Sequence, residues 1–142
     1  MMRKLGLDVG DKTVGIAVSD PSSTIAQGLY TLGRVGIRKD TGKIIDLIRE
    51  HDCDAVIIGL PVNMDGEDSI QTAKVREFAD MLNNKLKSSA MSNVRIHWQD
   101  ERLTTVQAER VLIEGGVRRE KRKQVIDKQA AVIILQTWLD SQ

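Results

Sequence analysis

Leu5–Asp20, LGLDVGDKTVGIAVSD, is the stretch on which the fold turns. Leu5 and Leu7 open a strand that carries Asp8, and Val9 and Gly10 follow at once. Gly10-Asp11-Lys12 has the turn chemistry that lets a chain reverse. From Thr13 to Ser19 the pattern alternates. Val14, Ile16 and Val18 fall on one face, and Thr13, Gly15, Ala17 and Ser19 on the other. A period of two marks a half-buried strand, so the stretch predicts an antiparallel hairpin. A carboxylate within an apolar strand is costly unless it is paired, hydrogen-bonded or holding a metal. Asp8 is therefore the first candidate for chemistry.

Working outward, the 142 residues suit one domain spanning 1–142 with a proper core. Composition is that of an ordinary globular protein, which excludes disordered and fibrous classes. No apolar run reaches membrane-spanning length, and the N-terminus lacks the pattern of a signal peptide. Cys53 is alone, which rules out an internal disulfide or a thiolate cluster and points to a reducing cytoplasm. The formal charge of +1 hides an asymmetry. Arg118, Arg119, Lys121, Arg122 and Lys123 crowd together near the C-terminus. Such a cluster suits phosphate contacts, against the plainer reading of a solvated loop or helix end.

Beyond the hairpin, Ala26–Leu32 reads as a third strand and 33–42 as a connection. Asp40 or Thr41 can cap a helix reaching Glu50, with Ile44, Ile45, Leu47 and Ile48 as its stripe. Ala55–Leu60 is a continuous apolar run, the mark of a parallel strand buried on both faces. Pro61 stops it. A helix over Ser69–Lys87 follows, striped by Val75, Phe78, Ala79, Leu82 and Leu86. Val94–Trp98 reads as a strand running into Gln99-Asp100-Glu101-Arg102. Thr104 and Gln107 form a capping box for a helix that Gly115-Gly116 ends. A last helix spans Gln124–Asp140. This order predicts an α/β fold with a five-stranded mixed sheet and helices on both faces.

Three acidic positions stand where packing does not ask for acids: Asp8, the Asp100-Glu101 pair and Asp127. With these crossovers the first strand and the two later ones run parallel. Their carboxyl ends then share the edge where open α/β sheets bind ligands. Converging carboxylates repel, so a cation must join them. Hard Mg²⁺ or Mn²⁺, expected as a pair of ions, suits oxygen donors, whereas zinc wants His or Cys at coordinating spacing. Two such ions serve phosphodiester hydrolysis. The plainer alternatives are Asp127 as a helix cap and Asp100 or Glu101 pairing with Arg102 on the surface. Lys12, Arg102, Arg118, Arg119, Lys121, Arg122 and Lys123 are the candidate nucleic-acid contacts.

LGLDVGDKTVGIAVSD, GLPVNMDG, DERLTT and RREKRKQVIDKQAAVIILQTWLDS together resemble the bacterial YqgF family, also called RuvX. Its members are described as Holliday junction resolvases and as nucleases maturing the 5′ end of precursor 16S rRNA. The resemblance covers nearly the whole chain. It implies a ribonuclease H-like fold, divalent-metal nuclease chemistry and a cytoplasmic location. Carried over by position, it implies catalytic acids at Asp8, at Asp100 or Glu101, and at Asp127, with Asp8, Glu101 and Asp127 holding metal. Related resolvases take their second acid from the end of the fourth strand, where this chain has Pro61-Val62-Asn63. The family takes it from the fifth strand instead, and Asn63 and Asp65 are candidate helpers at the mouth of the site.

The leading expectation is thus a nuclease for structured RNA in ribosome assembly, monomer or homodimer, with branched DNA as the alternative substrate. Cutting a junction needs two active sites and hence a dimer. A nucleotide-clasping kinase module would need two such domains, and Thr41-Gly42-Lys43 lacks the upstream glycine of a P-loop. A non-catalytic binder of the same fold is the third possibility. Two Trp, one Tyr and one Phe are too few for base stacking to dominate recognition, so backbone and shape would.

Overall fold

The structure, a computed structural model, describes residues 2–61, 70–100 and 119–142, with 119–127 described by backbone alone. Five strands, β1 (Arg3–Val9), β2 (Thr13–Ser19), β3 (Ala26–Gly33), β4 (Cys53–Leu60) and β5 (Arg95–Asp100), form one sheet. The spatial order is β3-β2-β1-β4-β5. β1–β2 and β2–β3 are antiparallel hairpin partners, whereas β1–β4 and β4–β5 pair in parallel. Among the described residues the helices are α1 (Ile37–Glu50), α2 (Ile70–Ser88) and α3 (Arg119–Asp140). The mixed α/β sheet expected from the hairpin and the later crossovers is the one observed.

The two faces of the sheet have different builds, and the alternation of β2 decides which is which. Val14, Ile16 and Val18 join Leu5, Leu7 and Val9 of β1 in a core with α1 and α2. Ile44 and Ile48 of α1 and Val75, Phe78, Leu82 and Leu86 of α2 fill it, all of them buried. Each such side chain contributes roughly 1.5–3 kcal/mol on leaving water. The opposite face is shallower: Ala17, Ala26, Ala55 and Ile57 meet Ala131, Ile134, Leu135 and Leu139 of α3. β4 feeds both layers, Val56 and Ile58 to one and Ala55 and Ile57 to the other. That explains its unbroken apolar run.

Small residues let α3 settle close to the sheet. A Cβ on Gly6 would lie 2.7 Å from Leu135 Cβ and 3.0 Å from the Ala131 carbonyl oxygen. Gly6 thus marks a close approach of helix to strand that a side chain would block. Gln136 pins the same helix to the start of β3. Its Oε1 accepts from Ala26 N–H at 2.8 Å, and its Nε2 donates to the Thr24 carbonyl at 3.0 Å.

Most element boundaries move by a residue or two, and three departures from the sequence reading bear on the site. α1 begins at Ile37, because Asp40 caps it from within the first turn rather than from the N-cap. Its carboxylate reaches back to accept from Val35 N–H at 3.1 Å and Gly36 N–H at 3.3 Å. β5 continues past Trp98 to Asp100, because Gly59 and Leu60 still offer it a ladder. α3 begins at Arg119, so the basic cluster from 119 to 123 is helix rather than a preceding loop. The helix expected over 104–115 lies outside the described residues.

Candidate functional site

Asp8 stands next to last in β1, partly exposed, paired across the hairpin with Gly15. Alternation puts it on the face of Gly6, the α3 side, while Leu7 and Val9 enter the opposite core. β1, β4 and β5 are mutually parallel, so their carboxyl ends open on one edge of the sheet. That edge is where ligands bind in open α/β sheets.

The ladder gives the acids of β5 a side. Leu7 pairs with Ile58 and Ile58 with Trp98, and two residues on, Leu60 pairs with Asp100. Paired residues share a face. Asp100 therefore falls with Ile58 and Trp98 on the α1/α2 side, where Arg76 of α2 stands 5.8 Å over the Trp98 ring. His97 and Gln99 take the α3 side, and His97 meets the Trp138 ring at 5.0 Å between centroids. Asp8 and Asp100 share the edge but not the face. Glu101 is outside the described residues, as are Asn63, Asp65, Arg102 and Arg118.

α3 runs against β1. The Lys128 stem crosses Gly28, whereas Gln136, two turns later, reaches back to Ala26 and Thr24. Since β3 is parallel to β1, the N-terminal half of α3 overlies the carboxyl end of β1. Ala131 lies over Gly6. One turn earlier in the helix, about 6 Å, is position 127. Two residues later in the strand, about 6.6 Å, is Asp8. The N-terminal half of the helix, which includes position 127, thus overlies the strand end that carries Asp8. Because α3 begins at Arg119, position 127 is interior to the helix, and the reading of Asp127 as an N-cap is overturned. Arg119, Lys121, Arg122 and Lys123 occupy the first turns, farther out past the same edge.

The turn after Asp8 is held from several sides. Gly10 N–H donates to the Thr13 carbonyl at 2.8 Å, closing the hairpin. Arg34 donates from Nη1 to the Gly10 carbonyl and from its backbone N–H to the Lys12 carbonyl, each at 2.9 Å. Gln71 of α2 donates to the Val9 carbonyl at 3.3 Å, and Lys74 Nζ meets Asp11 at 3.1 Å. Lys12 itself is exposed at the tip. The hairpin closure follows from the turn chemistry of Gly10-Asp11-Lys12, but the other contacts were not foreseen: they join residues 22 to 63 positions apart, and only an Arg and an Asp six residues apart hinted at them in sequence.

Arg34 Nε also donates to Asp40 Oδ2 at 2.9 Å, and Asp40 is buried. Burial alone would raise the Asp40 pKa. The hydrogen bonds from Val35 N–H, Arg34 and Gly36 N–H outweigh it and hold the carboxyl below its ordinary value. Cys53 opens β4 inside the α1/α2 core, where burial pushes its thiol up to about 12. It is neither nucleophile nor ligand.

Among the described residues no three His, Cys, Asp or Glu side chains gather as a metal site. No helix of the described residues is long and apolar enough to cross a membrane. A cleft of ≈ 450 Å³ between α2 and β5, lined by Ala79, Asn83, Arg95 and Trp98, lies away from the Asp8 face.

Known proteins match this chain along its length. The RuvX family model, described as Holliday junction resolvase, matches residues 2–141. A protein of Thermoanaerobacter pseudethanolicus is 53% identical over 142 residues, covering 99% of this chain and 98% of its own. One from Caldanaerobacter subterraneus is 50% identical, again over 99% and 98%. Both carry the name "Putative pre-16S rRNA nuclease". Among solved structures, Thermus thermophilus RuvC with a Holliday junction substrate superposes at a TM-score of 0.62 and 14% identity. It covers 99% of this chain and 95% of that one. The fowlpox virus resolvase with junction DNA also reaches 0.62, at 12% identity, over 99% and 98%. The fold is therefore that of the ribonuclease H-like resolvases.

Proposed function

The chain belongs to the RuvX family, and from that premise we propose that it is a divalent-metal-dependent nuclease acting in 5′-end maturation of precursor 16S rRNA. The observation that carries the reading is Asp8, a partly exposed carboxylate on a central strand, at the edge where three parallel strands end.

Asp8, Glu101 and Asp127 are the proposed metal ligands, with Asp100 the alternative at the end of β5. This donor set is all oxygen and all anionic, which fits Mg²⁺ or Mn²⁺ and not zinc. When bound, the cations supply Lewis acidity that activates a water and neutralises the scissile phosphate. The chain's own part is to hold three carboxylates rigidly at one edge and to leave that edge open to a polyanion. Lys12 on the adjoining turn contacts phosphate. So do Arg102, Arg118 and the first turns of α3, with Arg119, Lys121, Arg122 and Lys123. A single active site suffices for an RNA strand, so the proposed acting species is a monomer in the cytoplasm, at the pre-ribosomal particle.

The test is incubation with Mg²⁺ or Mn²⁺ of a precursor 16S 5′-end RNA and, separately, a four-way DNA junction. Wild type should cut the RNA, and Asp8→Asn should lose roughly 100-fold or more. Cleavage of the junction alone would transfer the reading to branched DNA and require a homodimer. Cleavage unchanged in Asp8→Asn would remove Asp8 from the chemistry.

A further inference from the structure

We propose that Arg34, held by Asp40, is a positioning residue for Asp8, acting through the Gly10–Lys12 turn; this rests on Asp8 being a metal-holding acid. A ligand carboxylate must keep its place to within about 0.5 Å to bind a metal well. Asp8 has only Val9 between it and a three-residue turn, at a strand end, where chains fray. The ladder to β2 holds Asp8 through its pair Gly15, and further rigidity comes from outside the strand.

Arg34 supplies it from both ends of the turn. Its guanidinium takes the Gly10 carbonyl and its backbone N–H takes the Lys12 carbonyl, both at 2.9 Å. The guanidinium is itself immobilised: Nε donates to Asp40 at 2.9 Å, and the Phe78 ring lies 5.3 Å from the guanidinium carbon. Asp40 is fixed in turn by Val35 and Gly36 N–H. Gln71 on Val9 completes the frame from α2. One planar fork spans carboxylate and carbonyl at once, a geometry that a lysine ammonium cannot reproduce. Arg34 thus ties α1, the core ring of Phe78 and the hairpin turn into one rigid piece. The last part of that piece to move would be the strand end bearing Asp8.

The test compares wild type with Arg34→Met, Arg34→Lys, Gln71→Ala and Leu82→Ala. The last loosens the same core without touching the turn. Mn²⁺ affinity is read by calorimetry, and kcat and KM are read on the precursor RNA. Arg34→Met should weaken Mn²⁺ binding and kcat roughly tenfold with KM little changed, and Arg34→Lys should stay impaired. Gln71→Ala, which leaves the buried charge pair intact, should move both quantities in the same direction by about two- to fivefold. Leu82→Ala should lower the melting temperature and leave both within about twofold. Equal losses in Arg34→Met and Leu82→Ala, or full recovery in Arg34→Lys, would overturn the positioning role. So would Mn²⁺ binding and kcat unaffected by Arg34→Met in a wild type that binds the ion. A wild type that binds no Mn²⁺ would overturn the reading of Asp8, and this inference with it.

Discussion

Asp40 does two jobs with one carboxylate, and its stability effect follows from both. It caps α1 through Val35 and Gly36 N–H and pairs with Arg34, all while 1% exposed. Asp40→Asn turns an amide N–H toward Arg34 and leaves that guanidinium without its counter-charge. The expected loss is about 3 kcal/mol, or roughly 10 °C in melting temperature for a chain of this size. The sign with pH is fixed by the direction of the shift. Asp40 is held below its ordinary value, so its contribution is present at neutral pH and lost as pH falls through that lowered value. Asp20 behaves alike. Ser22 Oγ–H and the N–H groups of Ile25 and Thr24 hold it at about 2 against 3.8, so its share fades between those values. Urea melts at falling pH should therefore show wild type losing stability below 3.8, and the gap to Asp40→Asn closing. A gap that widens in acid would refute the assignment. Cys53, with its thiol raised to about 12 by burial, should resist thiol reagents until the protein unfolds.

At the scale of elements, the packing of α3 on the sheet is read best through three glycines. A Cβ at Gly6 would meet Leu135 Cβ at 2.7 Å and the Ala131 carbonyl at 3.0 Å, parts of the helix that cannot swing aside. At Gly28 it would meet only the flexible Lys128 stem, and at Gly33 nothing within 4 Å. Gly6→Ala should cost about 1–3 kcal/mol, Gly28→Ala less, and Gly33→Ala should stay within about 0.5 kcal/mol. Denaturant melts of the three check the order, and a neutral Gly6→Ala would mean that α3 does not sit as close as described. The strands were legible beforehand because β2 alternates over Thr13–Ser19 and β4 is apolar throughout, patterns that follow directly from one-sided and two-sided burial. The starts of α1 and α3 were not. Asp40 looks like an N-cap in sequence but acts from inside the turn, and the run Arg119–Lys123 looks like a loop because its charge hides its helical continuity. The Arg34 clamp was illegible for another reason. It joins β3, α1 and the first hairpin, and no local pattern encodes a contact made only once the sheet is assembled.

Across the whole molecule, the register of the sheet turns a local ambiguity into a global one-or-the-other choice. In sequence, Asp100 and Glu101 are adjacent acids with equal claim to partner Asp8. Parity alone could not choose between them while the end of β5 was unknown. The ladder Leu7–Ile58–Trp98 continues to Leu60–Asp100, so alternation holds through Asp100 and assigns it the α1/α2 face. Asp8 and the Gly6 contact with α3 belong to the other face. A carboxylate on the wrong side of a sheet is separated from Asp8 by the thickness of the backbone layer. Successive residues of an extended strand alternate sides, which is the reason for proposing the residue after Asp100 as the partner of Asp8. The same argument places helix position 127 on the Asp8 side through the antiparallel run of α3. In metal-dependent cleavage of the precursor RNA, Glu101→Gln and Asp127→Asn should each fall roughly 100-fold or more, as Asp8→Asn does. Asp100→Asn should stay within about tenfold of wild type. Mn²⁺ titration should rank the four variants in the same way, which separates loss of the ion from loss of substrate. The reverse ranking, with Asp100→Asn inactive and Glu101→Gln active, would mean that the chain twists out of strand geometry at residue 100 itself. The second ligand would then come from the last rung of the ladder rather than from the residue beyond it.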